Sequence, residues 1–581
     1  MGAGERANAD ESTVLLSVVG TNDLHGRLFT DDGGYGGLTV LGGFVDNLRA
    51  ARAADGGAVL VLDAGDTFQG GIESNLSEGL MVVDAYNAIG YSALGVGNHD
   101  FDYGTVDPRG PPSEWLPQQL LRRDPGDVRG ALKAAAARAR FPFLAANILD
   151  AASGKPVSWP NVAPSTLVTA AGARIGIIGA MTESGLKQTL AAHAVGLATS
   201  PLAPTIAREA ESLRARGAEI VLLVTHAGGW CTETHDPHDL TSCDDGAEIF
   251  RLARELPAGT LQGIVAGHTH GTVAHFVDDV PIISARNFGV EFGRMDLEFD
   301  TATRTVTEVL IHEPQLVCAR RARATGECAA APHGEPVEYE GRPVIPSARV
   351  AAAIEPELTR VRALRAESLG VVANTPITRS AGPESALGNL YADALRAAVR
   401  EADVALSYGS GRGGLRTDLP TGRLTFGQVY DTFPFDNRVT RVALTGAQLK
   451  RVLAEQLPQL GDGRRGLLAV SGVRVIVSCG RDGPQVLLQR HSGALIEPDE
   501  PLVVAAASYS AGSAAWASIA PAVEARELPL LVRDAVAGWL LERARVAAGD
   551  FFDPARPRWQ LPPEGPACAP HQPSSAAARS Q

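Results

Sequence analysis

The sequence predicts an α/β fold built as two domains, and three observations carry that expectation. The chain has 581 residues, too many for a single hydrophobic core. Its composition, 45% hydrophobic and 20% charged with abundant Ala and Gly, is that of a globular α/β protein. In the first half, short apolar runs end one after another in clusters of Asp, Asn and His. That is the pattern of buried strands delivering polar side chains to the end of a sheet, where sites of open α/β folds collect.

Bulk properties narrow the function. A net charge of −14 argues against a nucleic-acid polymer or an anionic membrane surface as the main partner. No apolar run approaches the roughly 20 residues of a membrane span. Met1 to Thr13 is polar and lacks the basic start and apolar middle of a secretory signal, so the chain is either cytoplasmic or has had a signal removed. The six cysteines favour export, hence a periplasmic or secreted protein. Cys231 and Cys243 are near neighbours, as are Cys318 and Cys328, and none shows Cys-x-x-Cys spacing. Such short-range pairs read as disulfides. Cys479 and Cys568 remain as a third possible pair.

Taken in order, Thr13 to Gly20 is a β-branched run followed by Thr21-Asn22-Asp23-Leu24-His25-Gly26. Asp23 and His25, two apart, point to one side of an extended segment and suit a divalent metal. Ala58 to Leu62 is the next strand and ends in Asp63-Ala64-Gly65-Asp66-Thr67. Asp66 sits at the tip and can bridge two cations; Asp63 is its rival, read as a brace of the turn. Ala93 to Val96 leads into Gly97-Asn98-His99-Asp100. Phe141 to Asn147 and Ala173 to Ala180 read as buried strands without a ligand set. Glu219 to Val224 precedes Thr225-His226-Ala227-Gly228-Gly229, and Gly263 to Ala266 precedes Gly267-His268-Thr269-His270-Gly271.

Asp23, His25, Asp66, Asn98, His226, His268 and His270 exceed a single tetrahedral site and contain no sulfur. They suit two metals sharing one carboxylate. Mixed nitrogen and oxygen ligation favours Zn, Mn, Fe or Co over Mg or Ca. Such a pair, roughly 3.5–4 Å apart, can hold a phosphate and supply hydroxide for in-line attack. The Cys231–Cys243 loop carries His235 and His238, which superficially suggest a further metal site but read better as a solvated loop.

The set T-N-D-L-H-G, G-D-T-F-Q-G, G-N-H-D-F-D, T-H-A-G-G and G-H-T-H, in this order, resembles the 5′-nucleotidase branch of the calcineurin-like metallophosphoesterases. That branch includes UDP-sugar hydrolases and 2′,3′-cyclic-nucleotide phosphodiesterases. The resemblance implies an N-terminal calcineurin-like α/β sandwich with a dimetal site and a C-terminal α/β substrate-binding domain. It puts Asp23, His25 and His270 on one metal and Asn98, His226 and His268 on the other, with Asp66 bridging. It also makes His99 the catalytic histidine, held by Asp102.

Boundaries follow: a metallophosphoesterase domain over 12–345, a linker helix over 346–370, a substrate-binding domain over 371–560 and a disordered tail over 561–581. Within these, Ala131 to Arg140 reads as a helix in a surface insertion, and Ala348 to Leu369 as a helix interrupted near Pro356. Gly388 to Asp393 resembles the family's G-N-L-x-x-D-A segment. Gly409 to Arg416 resembles its Gly-rich loop ending in Arg, which places Arg416 near the substrate, with Arg412 either a further contact or a solvated charge. Phe433-Pro434-Phe435-Asp436-Asn437 matches a turn whose Phe stacks on a nucleobase; Phe435 is that ring, and Asn437 meets the base edge. For the second ring, Tyr509 is favoured over Trp516, although the family's Gly-Gly-Asp-Gly core between them is missing here.

The resemblance thus implies hydrolysis of small phosphoesters, foremost 5′-nucleotides, by a metal-bound hydroxide. A UDP-sugar pyrophosphohydrolase, a 2′,3′-cyclic-nucleotide phosphodiesterase or a thiosulfohydrolase would use the same site. In another class altogether stands a non-catalytic nucleotide-binding protein.

Overall fold

The structure is a computed structural model. It describes residues 12–106, 126–380, 382–407, 415–435, 437–457, 467–480, 483–511, 516 and 524–562. These form two compact α/β units, one up to Val361 and one from Arg362 onward.

The first unit is a sandwich of two sheets. In the larger, the central strands Thr13–Thr21, Ala58–Asp63, Ala93–Gly95 and Phe143–Leu144 run parallel and in register, Leu62 beside Ala93 and Leu94 beside Phe143. The antiparallel pair Glu291–Asp300 and Thr305–Leu316 closes one edge. In the second sheet, Ala173–Met181, Ile220–His226, Gly263–Ala266 and Val280–Ser284 are parallel neighbours. These strands are near-continuous apolar runs because both of their faces are covered. Val18, Leu60 and Leu62 of one sheet pack against Ile177, Leu222, Val224 and Val265 of the other. Helices Leu202–Ala215 and Glu248–Glu255 cover the outer face of the second sheet through Ile206, Leu213, Ile249 and Phe250. The sheets come so close that a Cβ on Gly179 would lie 2.1 Å from the Leu144 Cβ. Only glycine fits there.

Parallel strands have a consequence for function, since each sheet gathers its carboxyl ends along one edge. The short Phe143–Leu144 strand is all the regular structure that the run from Phe141 to Asn147 makes. Asn147 instead spends its side chain on the Met181 backbone, with Nδ2 donating to O at 2.6 Å and Oδ1 accepting from N at 2.9 Å. The Ala/Arg-rich stretch forms the helix Gly130–Arg138. Cys231–Cys243 and Cys318–Cys328 are disulfides. Cys568, the partner expected for Cys479, lies outside the described residues, as does the segment from Pro108 to Pro112.

The helix Ala348–Ala366 runs unbroken through Pro356, against the expected interruption. Pro356 and Ala352, whose carbonyl loses its donor, are both exposed, so water can satisfy that carbonyl. Val350, Ile354, Leu358 and Val361 keep the buried stripe continuous across it.

The second unit has a five-stranded sheet ordered Ala469–Ser471, Val404–Ser407, Pro501–Ala507, Arg438–Thr445 and Glu524–Leu531, with two smaller three-stranded sheets. Its helices are set by their caps. Ser385 accepts from the Gly388 N–H to start Ala386–Ala398, while Thr425 with Gln428 and Thr445 with Gln448 form capping boxes.

Candidate active site

Five strand ends of the first unit bring the predicted ligand residues together. Asp23 and His25 follow Thr13–Thr21; Asp66 follows Ala58–Asp63; Asn98 and His99 follow Ala93–Gly95. His226 ends its own strand, and His268 and His270 follow Gly263–Ala266. Asp23, His25 and His270 each present a ligand atom within 4.8 Å of the others, and so do Asp66, His226 and His268. The two triads touch through Asp66, whose Oδ2 is 3.0 Å from His226 Nε2 and 4.0 Å from His25 Nε2. Within the triads, His25 Nε2 is 3.1 Å from His270 Nε2, and His268 Nδ1 is 3.1 Å from His226 Nε2.

Backbone conformation makes this convergence. Asp23, His25, Asp66, His268 and His270 all have positive φ, between 47° and 82°, which turns each chain sharply as it leaves its strand. Such strain persists only where surrounding bonds fix it. Here Asp23 N donates to Gly65 O, His25 N to Asp66 O, and Ala64 N to Thr21 O, locking the first two loops together. Gly65, at φ 90°, lies so close to Gly97 that a Cβ would clash with its nitrogen at 2.6 Å.

Outer partners orient the ligand atoms. His25 Nδ1 bonds the Gln69 carbonyl at 2.9 Å and His226 Nδ1 the Ala64 carbonyl at 2.8 Å, leaving both Nε2 atoms for the centre. Asn22 Nδ2 donates to Asp23 Oδ2 at 2.7 Å, and Asn287 Nδ2 lies 2.9 Å from His270 Nδ1. Asp63 accepts from Thr21, Thr67 and Tyr86 hydroxyls and from the Gly65 N–H. It is a fully buried brace. Burial pushes its carboxyl up to about 6, although all four bonds pull the other way.

His99 Nδ1 is 2.6 Å from Asp102 Oδ2, and its ring centroid is 5.4 Å from that of His25. Burial opposes its charge, but the Asp102 bond and charge, with Asp66, raise it to about 9. Burial works against a charged His226 too, and the Asp66 carboxylate outweighs it. His268 moves down to about 4, through burial first and His226 second. The side chains of His99 and His270 are 38% and 42% exposed, whereas those of Asp23, Asp66 and His226 are buried, so the centre opens on the His99–His270 side.

A cation fits this donor set. Asn98 is buried, and its Oδ1 has no hydrogen-bond donor among the described residues. Its neighbours on both sides meet Asp66: the His99 N–H donates to Asp66 Oδ1 at 2.8 Å, and a Cβ on Gly97 would lie 2.4 Å from the same oxygen. A buried amide oxygen without a donor is costly; a cation would satisfy it.

Several residues of the site escape the sequence. Asp100 is buried and accepts from the Thr67 and Gly97 N–H groups at 2.8 Å, tying two ligand loops together. The same tetrapeptide that contains Asn98 and His99 contains it. Phe288, at φ 64°, places its ring 5.9 Å from His25 and 6.2 Å from His270. In the Cys231–Cys243 loop, His235 is exposed beside Glu233, and His238 stacks on Phe276.

In the second unit, Phe435 is half-buried with the Arg416 guanidinium 5.0 Å from its ring centroid. The backbone of half-buried Asn437 accepts from the Val532 N–H. Trp516 is only 2% exposed and belongs to the hydrophobic core, so it is no free stacking ring. The side chain of Tyr509 and the whole of Arg412 lie outside the described residues.

Comparison with known proteins adds the following. Residues 16–272 match the calcineurin-like phosphoesterase family, and residues 365–518 match the 5′-nucleotidase C-terminal domain. The chain is 23% identical to the endonuclease YhcR of Bacillus subtilis over 78% of its own length and 34% of that protein. It is 28% identical to a 5′-nucleotidase of Vibrio cholerae over 50% of each. It therefore spans half or less of the length of these two relatives. In fold it resembles a 5′-nucleotidase precursor from Thermus thermophilus, with a TM-score of 0.55, 22% identity, and 94% of this chain and 99% of that one covered.

Proposed function

The chain belongs to the calcineurin-like phosphoesterases that carry a 5′-nucleotidase C-terminal domain, and from that premise we propose that it hydrolyses small phosphoesters, foremost 5′-nucleotides, to an alcohol and phosphate. The observation that carries the reading is the set of converging ligand side chains with the His99–Asp102 pair at the open side. The family uses divalent metal ions. In this chain Asp23, His25 and His270 would hold one, Asn98, His226 and His268 the other, and Asp66 both. Two such cations supply charge for the phosphate oxygens and lower the proton affinity of the attacking water. Zn, Mn, Co and Fe suit the nitrogen and oxygen donors.

His99 presents its Nε2 to the reacting phosphate while Asp102 fixes the tautomer through Nδ1. The ring then stabilises charge on the phosphate and hands a proton to the leaving oxygen. A purely nucleotide-binding protein has no use for this pair. In the second domain, Phe435 and Asn437 would receive a base and Arg416 the phosphate side. The two disulfides support a periplasmic or secreted enzyme.

A hydrolysis screen tests the reading, with Mn, Zn or Co added separately and product read by substrate: phosphate from 5′-nucleotides, nucleoside monophosphate from UDP-sugars and 2′,3′-cyclic nucleotides, and sulfate from thiosulfonate-type esters. Highest kcat/KM on 5′-nucleotides is expected. Preference for a pyrophosphate or cyclic diester moves the assignment within the family, and no turnover with any metal rejects it.

A further inference from the structure

The C-terminal unit holds a cavity of about 620 Å³ that the proposed reaction does not use. Arg396, Arg400, Arg543, Arg558 and His491 line it, opposed by Asp393. This concentration of positive charge sits in a chain of net charge −14.

The cations are not all spent on partners. Arg558 is: it forms two 2.8 Å bonds to Asp393 and donates to the Val470 carbonyl. Arg543 stacks on the Trp539 indole and has Glu542 at 4.0 Å. By contrast, Arg396 uses only its Nε, on Ser471 Oγ at 3.0 Å, and its Nη atoms have no partner among the described residues. Arg400 has none at all among them. The electrostatics agree: His491 is held below the usual histidine range by burial and then by Arg558, Arg396 and Arg474. Arg543 is lowered by burial despite Glu542 and Asp393.

A structural role covers part of this. Arg396 lies in the last turn of helix Ala386–Ala398, where cations are favoured by the helix dipole, and Arg400 follows two residues beyond its end. That does not explain why Arg543 and Arg558, from other segments, line the same cavity.

We propose that this cavity binds a small anion carrying two or more phosphate groups, gripped by the free guanidinium edges of Arg396 and Arg400. Both line the same cavity from one short stretch of chain, Arg396 in the last helical turn and Arg400 two residues past the helix end. Guanidinium groups pair with phosphate oxygens through forked, charge-assisted bonds. The volume is within the roughly 300–1,000 Å³ of small-molecule sites. Trp539 is 9% exposed and covered by Arg543, so no free aromatic face awaits a base. The site therefore reads the phosphate chain, whether of an inorganic oligophosphate or of a nucleotide.

Calorimetric titration of the full-length, metal-loaded chain with inorganic tripolyphosphate tests this. The comparison is wild type against Arg396→Gln/Arg400→Gln, with the exposed pair Arg451→Gln/Arg526→Gln as a charge control. Expected is saturable binding with Kd below ~1 mM, weakened roughly tenfold or more in the first variant and changed less than about twofold in the control. Phosphoester turnover should be the same in all three. In the component of binding lost in Arg396→Gln/Arg400→Gln, ADP no tighter than pyrophosphate assigns the contact to the phosphates; a base-dependent gain in that component overturns the phosphate-only site. Equal binding by wild type and Arg396→Gln/Arg400→Gln, or no binding at this concentration, overturns the proposal. Absent turnover with intact binding rejects the phosphoesterase reading alone.

Discussion

The guanidinium of Arg416 lies over the ring of Phe435, 5.0 Å from its centroid, while Phe433 meets the same ring edge-on at 5.2 Å. One face of Phe435 is thus occupied by a cation, and a base bound as proposed would take the other. Base–aromatic stacking is worth about 1–3 kcal/mol by alanine substitution. Phe435→Ala should therefore raise KM for a 5′-nucleotide roughly 5- to 100-fold and leave hydrolysis of phenyl phosphate nearly intact. Equal losses on both substrates would make Phe435 structural.

Asp66 Oδ2 reaches a histidine Nε2 of each triad, that of His226 at 3.0 Å and that of His25 at 4.0 Å. Asp66→Ala should lose both metals, whereas Asn98→Ala should weaken one. Elemental analysis of dialysed protein reads the difference. A wild-type stoichiometry of one metal per active chain would refute the two-metal assignment.

The His99–Asp102 contact at 2.6 Å leads to a kinetic expectation. His99→Ala should retain its metals yet lower kcat by roughly 100- to 10,000-fold on esters with poor leaving groups. Esters with good leaving groups should suffer less, because their oxygen needs little help from an acid. A uniform loss across leaving groups would exclude proton donation.

Asp63 makes stability depend on pH in an unusual direction. Its folded value, about 6, lies above the ordinary carboxylate range because of burial. The folded state binds the proton more tightly than the unfolded chain, so this contribution is complete below about pH 4 and is lost as pH rises through about 6. The cost of ionising it is about 3 kcal/mol. Denaturation of Asp63→Asn and wild type at several pH values should show the variant gaining on wild type by about that amount between pH 4 and 7. Parallel curves would contradict the assignment of that proton.

The convergence of these Asp and His side chains was readable because parallel strands bury both faces and expose their ends, so apolar runs followed by Asp, Asn or His mark one sheet edge. What supports the ligands was not. Asn22 reaches the Ala285 backbone, 263 residues away, and Asn287 reaches His270; neither contact leaves a periodic trace. Pro356 misled because its penalty depends on whether the orphaned carbonyl meets water, a property of the packed helix. Trp516 was ambiguous for a similar reason, since a ring has the same letter in a core and in a binding cleft.

Five residues of the proposed metal centre held in left-handed backbone conformations have a consequence for evolution. Glycine would relax each of these turns and removes the ligand when it does so, with strain of about 1–3 kcal/mol per position at stake. At these positions the substitution that relieves backbone strain also removes a side chain of the proposed metal centre. A lineage under selection for thermal robustness alone would drift towards a well-folded, inert relative, and its descendants would betray that history by glycines at positions 23, 25, 66, 268 and 270.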